Sequence, residues 1–266
     1  MTIVTLLTDF GTADPWVAAV KGVLLGRAPG ALPVDVGHEV AAGDVEGAAW
    51  LLGATWPWFP AGSVHLAVVD PGVGGPRRIL AVTAGGAWFV APDNGLLTPV
   101  LERPDAAVRA VTREDLFLPG PGATFHGRDR FAPVAAHLAR GEPWEELGPQ
   151  VDDAVRLELP RPAARGAPLR PDAAGAELVG RIAHVDRFGN LITDIPSDWA
   201  GAGPCRCEVA GHATRHRAGH YREIPPAEAA VVPGSLGTLE LALDGGSLAR
   251  RWGVGRGERV VVRPEP

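Results

Sequence analysis

The feature that most limits the fold of this chain is a change of rhythm near residue 160. Before it, apolar β-branched runs alternate with segments of helical spacing, and after it only short strand-like runs follow. Alternating strands and helices predict a mainly parallel sheet with helices on both faces. Short strands separated by turns, with hardly any helix, predict a small barrel or sandwich. The expected class is therefore α/β, with an amino-terminal domain over 1–159, a proline-rich linker over 160–175 and an all-β barrel domain over 176–266.

Within the first part, Ile3 to Thr8 reads as a central strand because it is almost wholly apolar and β-branched. Thr12-Ala13-Asp14-Pro15 then predicts a helix start, with Asp14 as cap and Pro15 at the first helical position. Pro33 to Val36 is a short strand, Asp44 to Thr55 a helix, and Val64 to Val69 a buried strand. Ile79 to Thr83 and Ala87 to Val90 form a plausible hairpin across Ala84-Gly85-Gly86. Helices are expected from Leu96 and over Phe131 to Arg140, the second ended by Gly141. The strand signals of the second part are Glu177–Val185, Leu191–Ile195, Arg206–Val209, Leu239–Leu243 and Arg259–Val262.

A net charge of −6 without a basic cluster argues against nucleic acid or a membrane surface as partner, and makes a small molecule the default. The start of the chain lacks a secretory pattern and no apolar run reaches transmembrane length, so a cytoplasmic location is expected. Cys205 and Cys207, two apart in a strand, are expected on opposite faces and to form neither a disulfide nor a metal pair. Asparagine is avoided, with only Asn94 and Asn190 present. Asn94-Gly95 reads equally as a turn or as a site feature, whereas Asn190 in D-R-F-G-N-L-I-T-D is harder to assign to a turn alone.

The stretch V-V-D-P-G-V-G-G-P-R-R, Val68 to Arg78, places Asp70 where a buried strand gives way to a glycine-rich loop. Open α/β sheets bind ligands at that edge. A half-buried carboxylate beside Arg77 or Arg78 is suited to a chemical task, and the competing reading is a tight turn whose Asp caps backbone N–H groups. His126, in T-F-H-G-R-D just before the Phe131 helix, is the histidine with the most promising setting. If its loop meets the Asp70 loop, then Asp70, Arg77 and His126 form an acid, cation and imidazole set able to hold and polarise a water.

Taken together, T-D-F-G, D-P-G-V-G with an Arg seven residues after its Asp, A-P-D-N-G-L-L, T-F-H-G-R-D, D-R-F-G-N-L-I-T-D and G-S-L-G-T-L-E-L-A resemble the S-adenosylmethionine hydroxide adenosyltransferase family, relatives of the fluorinating and chlorinating enzymes. The resemblance runs in order along nearly the whole chain. It implies an α/β domain followed by a β-barrel, a homotrimer with sites between subunits, and hydrolysis of S-adenosyl-L-methionine to adenosine and L-methionine. It implies a catalytic set of Asp70, Arg77 and His126, with no metal and no cofactor. It also implies that Asp9 takes the ribose hydroxyls, that Asp14, Asp186 and Ser235 hold the methionine amino and carboxylate groups, and that Phe125 belongs to the substrate shell. Phe188 and Tyr221 resemble aromatic walls around adenine, Asn190 a hydrogen-bonding partner of adenine or ribose, and Leu243 to Gly245 the backbone at the adenine edge. A halogenase of the same superfamily would be expected to carry a polar or aromatic residue at position 70, no histidine at 126, and a long insertion where only Ala84-Gly85-Gly86 stands. A non-catalytic adenosyl sensor would bind the same ligand without turning it over, and a metal-dependent phosphoesterase could also use scattered Asp and His residues.

Overall fold

The computed structural model describes residues 1–119, 124–165 and 176–265. The chain divides into two compact units, Met1–Glu158 and Leu159–Pro266.

The first unit is built on strands β1 (Thr2–Thr8), β2 (Ala31–Gly37), β3 (Val64–Val68), β4 (Ile79–Ala84), β5 (Ala87–Pro92) and β6 (Ala107–Ala110), in the order β2-β1-β3-β5-β4-β6. The first four in that order are mutually parallel, and β4 runs against both its neighbours. Helices α1 (Trp16–Arg27), α2 (Val45–Thr55), α3 (Thr98–Leu101) and α4 (Ala132–Ala139) cover it. Side chains alternate across a strand, so the sheet builds two cores. Val4, Leu6, Leu66 and Val68 pack with Val20 and Leu24 of α1 and Val134 of α4. On the opposite face, Leu7, Ala67 and Val69 pack with Ala48 and Leu52 of α2 and Val100 of α3. A sheet buried on both sides explains why its strands read as unbroken apolar runs.

Two local expectations for this unit change. Asp14 is exposed and does not cap α1; Pro15 occupies the cap position and no side chain bonds there. By contrast Asp44 does cap α2, accepting from Gly47 N at 2.9 Å. The Phe131 helix is preceded by a single π-helical turn, Gly127–Phe131, so regular α-helix begins at Ala132. An extra residue in a helical turn re-aims the side chains next to it, and such turns concentrate at functional sites.

The second unit contains β7 (Ala163–Arg165), β8 (Glu177–Val185), β9 (Leu191–Pro196), β10 (Cys205–Val209), β11 (His212–Thr214), β12 (His216–Arg217), β13 (Ala229–Pro233), β14 (Thr238–Leu243), the short helix α5 (Leu248–Trp252) and β15 (Arg259–Pro264). These strands form one nine-stranded, nearly closed barrel-like sheet, ordered β11-β10-β15-β8-β9-β14-β13-β12 with β7 paired to β8. Alternate residues, among them Leu178, Ile182, Leu191, Val231, Leu241 and Val260, share one interior core. Residues Ala163–Arg165, expected in the linker, are thus a strand of this sheet, while 166–175 lie outside the described residues. Cys205 and Cys207 do not face opposite ways: residues two apart in a strand share a face, and both are buried free thiols of the barrel core.

Candidate active site

In the first unit the strand order reverses at β1, which has β2 on one side and β3 on the other. Ligands of open α/β sheets bind at the carboxyl edge of such a switch point. Asp9 follows β1 there, Asp70 lies two residues past β3, and Asp93 follows β5, so three parallel strands deliver acidic residues to one edge.

The Asp70 loop closes on itself through a bidentate ion pair. Arg77 Nε donates to both Asp70 oxygens, at 3.0 and 2.9 Å, and Arg77 Nη2 donates to Oδ2 as well. The same Nη2 lies 2.7 Å from His126 Nδ1, and the guanidinium carbon sits 5.2 Å from the centre of the Phe131 ring. The two loops are far apart along the chain; the fold brings Asp70, Arg77 and His126 into one series of contacts. The side chains of Asp70 and Arg77 are only 5% and 11% exposed, and His126 is buried.

The tautomer of His126 follows from this geometry. A guanidinium can only donate, so Nδ1 accepts and the proton of the neutral ring sits on Nε2. That Nε2–H is buried and has no hydrogen-bond partner among the described residues. Burial first, then the cations Arg130 and Arg77, push the imidazole pKa below its ordinary value, outweighing the carboxylates Asp70 and Asp129. The ring is therefore a neutral donor at physiological pH. His65 shows the contrasting case: it pairs with Thr5 Oγ1 at 2.8 Å, stacks on Phe89 at 4.9 Å, and is pushed down to about 4 by burial alone, as a core residue.

A cavity of about 60 Å³ opens beside the triad, lined by Asp9, Phe10, Val68, Asp70, Val73, Thr124, Phe125, His126 and Gly127. On the same measure a water needs only about 10–15 Å³. Phe125 meets Phe10 and Trp16 edge-on, with centroids 5.6 and 5.2 Å apart. Gly127 is required here because a Cβ would stand 2.9 Å from the Phe10 ring. Asp9 accepts from Gly43 N at 2.9 Å through Oδ2. Asp14 does not line this cavity. Phe10 and Trp16 are not singled out by the sequence, although Phe10 stands in the T-D-F-G motif.

The second unit carries a larger, open pocket of about 590 Å³ lined by Asp186, Arg187, Phe188, Asn190, Tyr221, Leu243, Asp244, Gly245, Gly246, Ser247 and Arg250. Asp186 organises its loop: Oδ1 accepts from Phe188 N at 2.9 Å and Asn190 N at 2.8 Å, and Oδ2 accepts from Asn190 Nδ2 at 2.9 Å. Gly189, at φ +86°, lets the loop approach Ser247, whose Oγ would lie 2.0 Å from any Cβ. This holds Phe188 outward, 75% exposed. Tyr221 donates to the buried Glu240 at 2.6 Å, and burial together with that carboxylate pushes its phenol up to about 12. Ser235, in the β13–β14 turn, is exposed and does not line the pocket. Arg187 and Arg250 line it too; Arg187 stands in the D-R-F-G-N motif without being singled out there, and no motif marks Arg250. Among the described residues no group of three or more His, Cys, Asp or Glu side chains is placed to hold a metal ion, and no helix is long and apolar enough to cross a membrane.

The first unit thus holds a sheet-edge triad and the barrel-like second unit an aromatic pocket, the features expected of a small-molecule enzyme with two kinds of domain. Residues 4–148 match the family model "SAM hydroxide adenosyltransferase N-terminal domain" and residues 180–261 that of the corresponding C-terminal domain. The chain belongs to the SAM hydroxide adenosyltransferase family. It is 42% identical to a protein of Thermus thermophilus over 97% of this chain and 98% of the relative, and 40% identical to one of Salinispora arenicola over 97% of each. Both carry the name (R)-S-adenosyl-L-methionine hydrolase. A fluorinase of Actinoplanes is more distant, at 32% over 73% of this chain and 71% of its own. Among solved structures, an uncharacterized conserved protein of Thermotoga maritima superposes with a TM-score of 0.89 at 33% identity, covering 98% of this chain and 99% of that one.

Proposed function

We propose that this enzyme hydrolyses S-adenosyl-L-methionine to adenosine and L-methionine, by attack of water on the ribose 5′ carbon. The observation that carries the reading is the contact of Arg77 with both Asp70 and His126 beside a cavity with room for water. The sulfonium already makes methionine a neutral leaving group, so no acid is required. What the reaction lacks is a nucleophile, since hydroxide is scarce at neutral pH and water is weak.

The triad supplies what is missing. Arg77 stabilises negative charge developing on the attacking oxygen, and the His126 Nε2–H donates to that oxygen and fixes its direction. His126 is then a donor and not the base, because its Nδ1 is held by the guanidinium. As the carbon–oxygen bond forms and the carbon–sulfur electron pair leaves with methionine, the water proton passes towards Asp70. Charge balances: a sulfonium and a water give two neutral products and a proton. No metal or cofactor takes part in this scheme.

Asp9 takes the ribose hydroxyls, and Phe125 with Phe10 covers the sugar. Phe188, Tyr221 and Asn190 receive the adenine against the Leu243–Gly245 backbone. Asp14, Asp186 and Ser235 serve the methionine end, with Asp186 acting mainly through the loop it holds. The protein works as a cytoplasmic homotrimer with sites between subunits; the exposed Phe188 and Tyr221 support a pocket that another surface completes. A halogenase reading has no specific observation in its favour, since Asp70 and His126 are both engaged with Arg77.

One preparation tests this reading: protein sized by sedimentation, dialysed against chelator, and incubated with S-adenosylmethionine, with products separated by chromatography. The expected result is a trimer releasing adenosine and methionine in equal amounts. Absence of adenosine, or a 5′-halogenated nucleoside when halide is supplied, overturns the hydrolase reading, and a sedimenting monomer overturns the shared site.

A further inference from the structure

Asp70 and Arg77 are the two ends of one loop, and the residues just outside those ends are held by two consecutive residues that follow another strand. On one side, Asn94 Nδ2 donates to the carbonyl of Val69, the residue before Asp70, at 2.9 Å, while Asn94 Oδ1 accepts from Leu96 N at 3.2 Å. A carbonyl and an N–H on opposite ends of the amide leave one orientation for it. On the other side, Asp93 Oδ2 accepts from Nε of Arg78, the residue after Arg77, at 2.7 Å, and Asp93 N donates to the Arg78 carbonyl at 3.0 Å. Asp93 is buried, and its second oxygen accepts from Val155 N at 2.8 Å, so the carboxylate itself cannot drift.

We propose that Asp93 and Asn94 are positioning residues that set the reach of Asp70 and Arg77 towards His126. Between the pair runs P-G-V-G-G-P, glycine or proline everywhere except Val73, and its internal backbone bonds are the short-range pairs Val73 N to Asp70 O at 3.2 Å and Gly75 N to Gly72 O at 3.0 Å. The ion pair fixes Asp70 and Arg77 to each other, but such a segment anchors the pair weakly to the sheet, so where the pair stands relative to His126 depends on what grips Val69 and Arg78. An aspartate at 94 would still accept from Leu96 N but would set an oxygen against the Val69 carbonyl. In a chain whose only other asparagine is Asn190, keeping one here fits a position where an amide N–H is needed.

The role predicted is indirect, through the triad, and rests on the hydrolysis reading for its kinetic part only. The test uses the full chain and the variants Asn94→Asp and Asp93→Asn, each checked by melting temperature. In ¹⁵N-histidine NMR spectra, with His126 assigned through His126→Gln, wild type should show the neutral Nε2–H tautomer, and Asn94→Asp should show a mixture of tautomers. In single-turnover kinetics with S-adenosylmethionine, Asn94→Asp should lower kcat by about 10–100-fold, the scale of a misplacement near 1 Å, with KM changed less than about threefold. Placed in an Asp70→Asn background it should cost under about threefold more, because a residue that acts through Asp70 has little left to lose. A folded Asn94→Asp protein with wild-type His126 signals, or with an equal loss in both backgrounds, overturns the proposal. Should that variant not fold, Asp93→Asn is read by the same criteria. A wild type with the expected tautomer but no adenosine release would instead count against the reaction assigned above.

Discussion

The triad of the first unit and the pocket of the second are built in opposite ways. In the first unit, Asp70, Arg77 and His126 are nearly removed from solvent, bonded to one another and braced by neighbouring strands. In the second, Phe188 is 75% and Tyr221 49% exposed around an open pocket. The difference fits the roles proposed for the two regions. A group that meets developing charge is most effective when preorganised and dry. A group that grips a flat base contributes area and stacking, and it needs a surface still open when the ligand arrives. Even the second region is not loose: Asp186 and Gly189 hold Phe188 at the tip of a defined loop.

If this division is right, substitutions in the two regions should separate in kinetics. The largest effect is expected from Arg77→Ala. Losing a donor aimed at transition-state charge should lower kcat by about 100–1000-fold, about 3–4 kcal/mol, with a much smaller change in KM. The same variant should move the His126 titration followed by NMR. Arg77 is one of the groups that depress the His126 pKa, after burial and Arg130, so its removal raises that pKa. The neutral ring is then lost at a higher pH on acidification. Full turnover at saturating substrate with only weakened affinity would make Arg77 a binding residue and erase the contrast between the regions.

A smaller effect is expected from Phe188→Ala. An aromatic contact of about 0.5–1.5 kcal/mol translates into a KM rise of about twofold to tenfold with kcat retained. Calorimetric titration with adenosine checks it independently of turnover. A kcat loss comparable to that of Arg77→Ala would mean that the second unit positions the reacting atoms and does more than hold the base.

How legible a feature is in the sequence depends on the range of the interaction that makes it. Strand runs such as Ile3–Thr8 and Val64–Val69 are readable because burial on both faces writes itself locally as apolar content. The Asp70–Arg77 pairing is suggested by a glycine-rich loop after a strand, a local signal. That His126 meets them comes only from the resemblance, since 49 residues separate it from Arg77. Residue order leaves Arg78 open to Asp70; the fold gives it to Asp93 across the sheet edge, and no local pattern marks that choice. Asp14 looks like a cap by residue type, but Pro15 at φ −76°, ψ 2° takes the cap position. The π turn ahead of α4 has no sequence signature that period-counting detects. Resemblance assigns Asp186 to the substrate, while its three side-chain hydrogen bonds within the loop depend on the folded turn and leave no mark in residue order.

The most direct test of the central claim, that the first unit delivers water oxygen to the ribose 5′ carbon, is a single turnover in ¹⁸O-enriched water followed by mass spectrometry of both products. The account predicts one ¹⁸O atom in adenosine, located at the 5′ hydroxyl, and none in methionine. Label in methionine, or adenosine without label, would contradict it.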